Sequence, residues 1–105
     1  IYVARFDSAY DGGSWRPAMR VAAGGAYRVR VDVTPSGRVV AAWAENNRVM
    51  ARWYHKQANV WFDAGEVSQS QAGYNDGVSI AVSGESAFAA WNANGELRGA
   101  WCPPP

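Results

Sequence analysis

The chain has 105 residues, and its ten basic and nine acidic side chains nearly cancel to a net charge of +1. That balance excludes the basic stripe of a nucleic-acid footprint, and no apolar run approaches the roughly 20 residues of a membrane-crossing helix. Apolar residues make up 49% of the chain, too many for a disordered segment, so one domain with a modest core is expected.

Ile1 to Asp7 reads as a strand, and Ser8 to Ser14, with Gly12-Gly13, as a turn. Trp15 to Ala22 is a second extended run, in which Pro17 argues for an edge position. Ala23 to Ala26 is a loop. Arg28 to Thr34 alternates, with Val29, Val31 and Val33 on one face and Arg28, Arg30 and Asp32 on the other. That period of two is the strongest strand signal in the chain.

Pro35-Ser36-Gly37 makes a hairpin turn. Arg38 to Ala44 and Arg48 to His55 are strands, joined by Glu45-Asn46-Asn47, where Asn tolerates positive φ. Trp61 to Ser68 is an outer run. Gln69 to Gly77 reads as a long polar loop. Val78 to Ser83, Ala87 to Trp91 and Leu97 to Cys102 follow as strands, turned by Gly84-Glu85 and by Asn92-Ala93-Asn94-Gly95. No capped amphipathic stretch long enough for a helix occurs.

These runs repeat. Ala41-Ala42-Trp43 returns as Ala89-Ala90-Trp91, and Val49 to Trp53 returns as Leu97 to Trp101, both 48 residues on. Val29 to Val33 aligns with Val78 to Val82 at 49, Tyr2 to Phe6 with Val49 to Trp53 at 47, and Trp15 to Val21 with Trp61 to Val67 at 46. A unit of four short strands in about 47 residues falls near the period of one four-stranded propeller blade. With its strands labelled A to D, residues 1–22 are C and D, 23–68 are a complete unit, 69–102 are A, B and C, and 103–105 are a proline tail.

Incomplete units leave unpaired sheet edges. An all-β fold of about two propeller-type blades, completed by self-association into a ring or by a longer parent chain, is therefore expected. The first residue is Ile1, with no signal peptide before it, which fits a processed product, an excised piece or an incomplete sequence.

Reactive chemistry is sparse. His55 is the only histidine and Cys102 the only cysteine. Neither stands in a cluster at metal-ligand spacing. No serine sits in a nucleophile elbow, and no phosphate loop precedes a helix. Neither an enzyme nor a cofactor is expected. Cys102 reads as a small apolar residue closing a strand, or as a link between chains. Trp43, Trp91, Trp53 and Trp101 read as core, and Trp15 and Trp61 as partly exposed. Arg30 and Asp32 read as an ion pair in a channel or sheet-to-sheet contact, or as the polar floor of a ligand site.

The Val-Val-Ala-Ala-Trp strand, the Arg-x-Trp-Tyr strand and the outer Trp resemble bacterial secreted β-propeller repeats of the sialidase-like, Asp-box-like kind. Ser8-Ala9-Tyr10-Asp11-Gly12-Gly13-Ser14-Trp15 is similar to an Asp box, with Tyr10 where Asp belongs. Two-blade chains of this style resemble small propeller lectins, which implies glycan as a partner and an extracellular or cell-surface location. Such a fold brings the D-to-A and B-to-C loops to one end. The candidate ligand-binding set there is Tyr27, Arg28, Glu45, Asn46, Tyr74, Asn75, Asp76, Asn92 and Asn94, aromatics mixed with donors and acceptors suited to hydroxyls. The alternatives are a structural or protein-interaction piece of a larger secreted propeller protein and, with the same Asn and Asp residues, simple turn formation.

Overall fold

The computed structural model describes residues 1–7, 11–16, 18–22, 26–46, 48–55, 57–68, 75–93 and 95–103, with the backbone alone at 7, 27 and 75–77. All regular structure among them is antiparallel β. The strands are β1 (Tyr2–Val3), β2 (Phe6–Asp7), β3 (Ser14–Trp15), β4 (Met19–Arg20), β5 (Tyr27–Val33), β6 (Val39–Glu45), β7 (Arg48–His55), β8 (Val60–Trp61), β9 (Gly65–Glu66), β10 (Asn75–Ser83), β11 (Ser86–Ala93) and β12 (Glu96–Cys102). Polar Gln69 to Gly77 is thus not loop throughout. The last strand run begins at Asn75, three residues early, because backbone pairing of Asn75 with Ala93 continues the ladder past an irregularity before Val78.

The strands form three groups. β5-β6-β7-β8 lie side by side in chain order, with β9 also on β7, and β10-β11-β12 make a second ordered sheet. At the N-terminus β1 pairs with β4 and β2 with β3. Backbone bonds from Arg16 N to Arg5 O (2.8 Å) and from Val21 N to Ile1 O (3.1 Å) extend these two ladders.

Register makes the repeat concrete. Val39↔Tyr54 through Glu45↔Arg48 on β6/β7 recur as Ala87↔Cys102 through Ala93↔Glu96 on β11/β12, every pair displaced by 48. Arg30↔Ala42 recurs as Ser79↔Ala90, displaced by 49 on the inner strand. One alignment is corrected. Phe6 pairs with Trp15 as Tyr54 pairs with Trp61, so Phe6 matches Tyr54 at an offset of 48 and not Trp53 at 47. The one-residue difference reverses which face each N-terminal side chain occupies.

The β5–β9 sheet is the middle layer. Val40, Ala42, Val49, Ala51 and Trp53 pack on Val78, Ala87, Ala89, Trp91, Ala93 and Cys102 of the next sheet. On the opposite face Ala41 and Trp43 pack on Ala22, with Ile1, Met50 and Trp61 at the margin. Residues 40–44 of β6 are therefore all buried. This explains why its Val-Val-Ala-Ala-Trp sequence lacks polar alternation: neither face meets water. Alanines keep the layers close, while full burial of each Val side chain stabilises by roughly 1.5–3 kcal/mol.

Trp43, Trp91 and Trp53 are core, as the repeat predicts. Trp101 is not. It holds the register place of Trp53 but is 61% exposed, because no further sheet of the described residues packs on that face of β10–β12. Phe88 and Leu97 share that open face. Val31 and Val33 are open on the other side, where the N-terminal group supplies no counterpart of strands A and B.

Polar contacts key the middle and last sheets together. Asp32 accepts the amide of its neighbour Val33 (2.8 Å) and, across the gap, that of Val82 (3.1 Å). The expected Arg30–Asp32 ion pair is replaced by these amide bonds, with Arg30 donating Nη1 to Val29 O (3.1 Å). The two matching A-to-B turns also meet: Glu85 accepts Ser36 N (3.1 Å) and Ser36 Oγ. Those bonds, the Ser36 hydroxyl foremost and then Thr34, hold the Glu85 carboxyl below the usual carboxylate range.

A lowered folded-state pKa means that stability from Glu85 is present above the unfolded value and lost as pH falls through the folded one. Glu85→Gln is therefore expected to lower the thermal midpoint at neutral pH. The gap from wild type should close as pH drops below the unfolded carboxyl value, as read by circular-dichroism melts. A gap independent of pH would exclude a role for the charge.

Candidate functional site

Each end of the layered sheets collects a different set of turns. The B-to-C turns and the starts of β5 and β10 share one end, near Trp43 and Trp91. The A-to-B turns, with residues 57–59, lie at the other.

At the tryptophan end a surface hollow lies on either side of the middle sheet. The first is lined by Arg20, Ala22, Trp43, Glu45, Met50 and Arg52. The second, of about 270 Å³, is lined by Arg28, Arg30, Ser79, Trp91, Asn92 and Leu97, with Val78 and Ala90. Each contains the tryptophan that the repeat places on the face toward the preceding sheet.

The two hollows differ in what meets the indole. Trp43 Nε1 donates to Glu45 Oε1 at 2.5 Å, two residues along β6. The matching residue after Trp91 is Ala93. Trp91 is 4% exposed, and its Nε1 has no hydrogen-bond partner among the described residues. Arg28 stands at φ +55, in the irregular stretch between Tyr27 and Arg30 where β5 slips against β6. Such bulges re-aim side chains, and Arg28 is exposed at the rim.

The sequence-based candidates divide accordingly. Arg28 and Asn92 share the Trp91 hollow. Glu45 lines the other and is committed to Trp43. Asn46 is exposed in its turn at φ +48, as its turn-forming role requires. Asn92 also serves a turn, its Oδ1 accepting Gly95 N at 3.0 Å, which leaves its amide NH₂ for other partners. For Tyr27, Asn75 and Asp76 only the strand backbone is described, and Tyr74 and Asn94 lie outside the described residues, as does Ser8-Ala9-Tyr10 of the Asp-box-like stretch. Trp91 and Ser79 were absent from the candidate set, although the change from Glu45 to Ala93 was visible once the repeats were aligned.

The opposite end holds a cavity of about 180 Å³ between the N-terminal strands and the middle sheet, with Val3, Arg5, Arg16, Tyr54, Asn59 and Trp61 in its wall. Sequence reasoning missed it. Its polar groups are largely engaged with each other. Tyr54 Oη and Asn59 Oδ1 are 2.5 Å apart, and the Arg5 guanidinium lies 5.7 Å from the Tyr54 ring centroid. Tyr54 and Trp61 pack ring on ring at 5.5 Å. We assign this cavity to packing.

Reactive residues sit elsewhere. His55 Nδ1 accepts Ala58 N at 3.1 Å and its ring meets Phe62 edge-on at 5.6 Å, so it closes the turn after β7. Cys102 is buried between the middle and last sheets, where desolvation raises its thiol pKa. No group of three or more His, Cys, Asp or Glu that suits a metal ion occurs among the described residues. Comparison with known proteins finds no matching family model, no similar curated protein and no similar solved structure.

Since Glu45 satisfies a buried indole N–H, Glu45→Ala should cost about 1–3 kcal/mol of stability, measured by urea unfolding. Undiminished stability would mean that the Trp43–Glu45 bond has no structural weight.

Proposed function

We propose that this chain is a non-catalytic carbohydrate-binding module made of propeller-type blades, with its ligand site at the tryptophan end. The observation that carries the reading is the hollow lined by Arg28, Arg30, Ser79, Trp91 and Asn92. It combines the exposed apolar side chain of Leu97 with hydroxyl, amide and guanidinium groups, the mixture that grips a sugar ring through its apolar face and its hydroxyls. It draws its lining from both the middle and the last sheet, and a second hollow, at Trp43, is lined in part by the chain's own Glu45.

The blade assignment rests on strand order within sheets, on the register shared by β6/β7 and β11/β12, and on face-to-face layering. Propeller blades stack radially in this manner. The expected test is a glycan array followed by titration with each sugar that binds. Arg30→Gln and Asn92→Ala should weaken binding several-fold while the circular-dichroism melt is kept. No response to any sugar would remove the lectin reading.

A structural or interaction role is the second reading, favoured by the open face of β11 and β12. Phe88, Leu97 and Trp101 are 40%, 82% and 61% exposed there. The corresponding face of the middle sheet is covered, so the proposed occupant is another sheet of this repeat, from a second copy or from a longer parent chain. At the other end of the layers Tyr2, Phe6 and Trp15 are also exposed. If copies associate, the native mass exceeds the 11.4 kDa of one chain, and Leu97→Asp reduces it to that of a monomer. A wild-type chain that stays monomeric at high concentration points to a parent chain as the source of the covering sheet.

A further inference from the structure

The middle and last sheets share a register but not a width. In the middle sheet β7 is covered along both edges, by β6 and by the outer run of β8 and β9. In the last sheet β12 pairs with β11 and with no other strand among the described residues. The sibling sheet shows what that free edge offers. Phe62 N donates to Trp53 O (2.8 Å) and Val67 N to Val49 O (2.7 Å), so Val49 and Trp53 turn their backbone groups toward the outer run. Ala51, midway between them at the period of two, does the same. The residues in those places on β12 are Leu97, Gly99 and Trp101, whose N–H and C=O groups therefore line the uncovered edge. Pro103 follows in the place of His55 and, lacking an N–H, closes it.

A hollow accompanies this edge. It measures about 320 Å³ and is walled by Ala51, Trp53, Phe62 and Gly65 of the middle sheet and by Ala100 and Cys102 of β12. Its counterpart one joint earlier is the cavity of about 180 Å³ behind the N-terminal strands. Val3, Arg5 and Tyr54 stand there 48 residues before Ala51, Trp53 and Cys102, and Arg16 stands 46 before Phe62. The earlier cavity also has Trp61 in its wall, paired with Tyr54 and packed on its ring at 5.5 Å. In the later hollow the position beside Cys102 on the outer side is open, and Cys102 is smaller than Tyr54. The outer run thus does two things for β7: it bonds the edge, and it seats an indole between layers. The surroundings of β12 are shaped to receive both.

We propose that the β12 edge and its hollow form a strand-acceptor site for an extended polypeptide segment from outside residues 1–105, paired antiparallel on Leu97, Gly99 and Trp101 with an aromatic side chain opposite Cys102. Strand addition of this kind draws affinity from main-chain bonds and specificity from the pocket that takes alternate side chains. The occupant is not a second copy of residues 1–105. Both outer runs are already held, residues 14–21 on β1 and β2 and residues 60–67 on β7. A copy would have to break one of its own ladders to lend either. The site is an edge with an inter-sheet hollow, separate from the hollow assigned to sugar, and it does not rest on the carbohydrate reading.

The test uses the intact chain labelled with ¹⁵N and, as the probe, a synthetic peptide with the sequence of residues 60–68. Saturating peptide should slow hydrogen exchange at the amides of Leu97, Gly99 and Trp101. It should leave those of Arg98 and Ala100, which face β11, unchanged. The Trp61→Ala peptide should bind at least about tenfold more weakly, as loss of a buried aromatic anchor does. A peptide N-methylated at Phe62 and Val67, the two donors, should fail to protect the edge. In the chain, Gly65 lines the hollow, pairs with Ala51 and would carry a Cβ into open space. Gly65→Phe should therefore fold, fill the hollow and lose peptide binding.

An edge that the peptide leaves unprotected overturns the proposal. Equal protection by the Trp61→Ala peptide does so too, as does undiminished binding to folded Gly65→Phe. Protection of the same three amides in the chain alone, growing with its concentration, makes a second copy the occupant and overturns the assignment to an outside segment.

Discussion

The structure depends on covering both faces of one strand. β6 runs through the middle of the molecule with residues 40 to 44 all buried, and each of its faces is closed by a different group of strands. A sheet of this composition has no face to offer water. Alternate residues Val40, Ala42 and Ala44 on one side, and Ala41 and Trp43 on the other, lose contact with solvent only if a neighbour stands on each side. Layering is thus a condition for the middle sheet to be stable, because hydrophobic burial is the main favourable term that offsets the entropy of ordering the chain.

The same rule explains what the terminal layers lack. The register places Phe88, Leu97 and Trp101 where the middle sheet has Val40, Val49 and Trp53, and only the latter are covered. The surface of the last sheet therefore carries, uncovered, the same register positions that are buried in the middle sheet. Contiguous exposed apolar side chains of this kind mark surfaces meant for contact. The polar contacts between the middle and last sheets have a different task. Asp32 on Val82 N and Glu85 on Ser36 fix how far one layer slides on the next, since apolar packing alone is not directional.

Local chemistry follows from departures from the repeat. Where both units carry the same residue, as with Trp43 and Trp91, the role is packing. Where they differ, packing alone does not account for the choice. Glu45 against Ala93, and Arg30 against Ser79, change the chemistry at the sheet-to-sheet joints and leave the backbone ladder intact. The first of these differences sets the surroundings of Trp91 apart from those of Trp43. They also show why Glu45 and Asn92, which look alike as polar loop candidates, act differently: one completes an indole bond, while the other closes a turn and keeps a free NH₂.

Much of this was written in the sequence. The period of two in Val29, Val31 and Val33, the Pro-Ser-Gly and Asn-rich turns and the Trp spacing determined the long strands and their order, because those signals are local, whereas Ile1 to Asp7, Trp15 to Ala22 and Trp61 to Ser68, each read as one run, are each broken into two-residue strands. The recurrence at 48 residues determined that β6/β7 and β11/β12 share a register. Tertiary structure decided the rest. It shifted the N-terminal alignment by one residue, since backbone pairing and not side-chain likeness sets register. It began the last sheet at Asn75, placed Trp101 outside, and turned Asp32 from an ion-pair partner into a cap for a neighbouring amide. Each of these depends on which surface meets which, and contacts between residues some 50 positions apart leave no local trace in the chain.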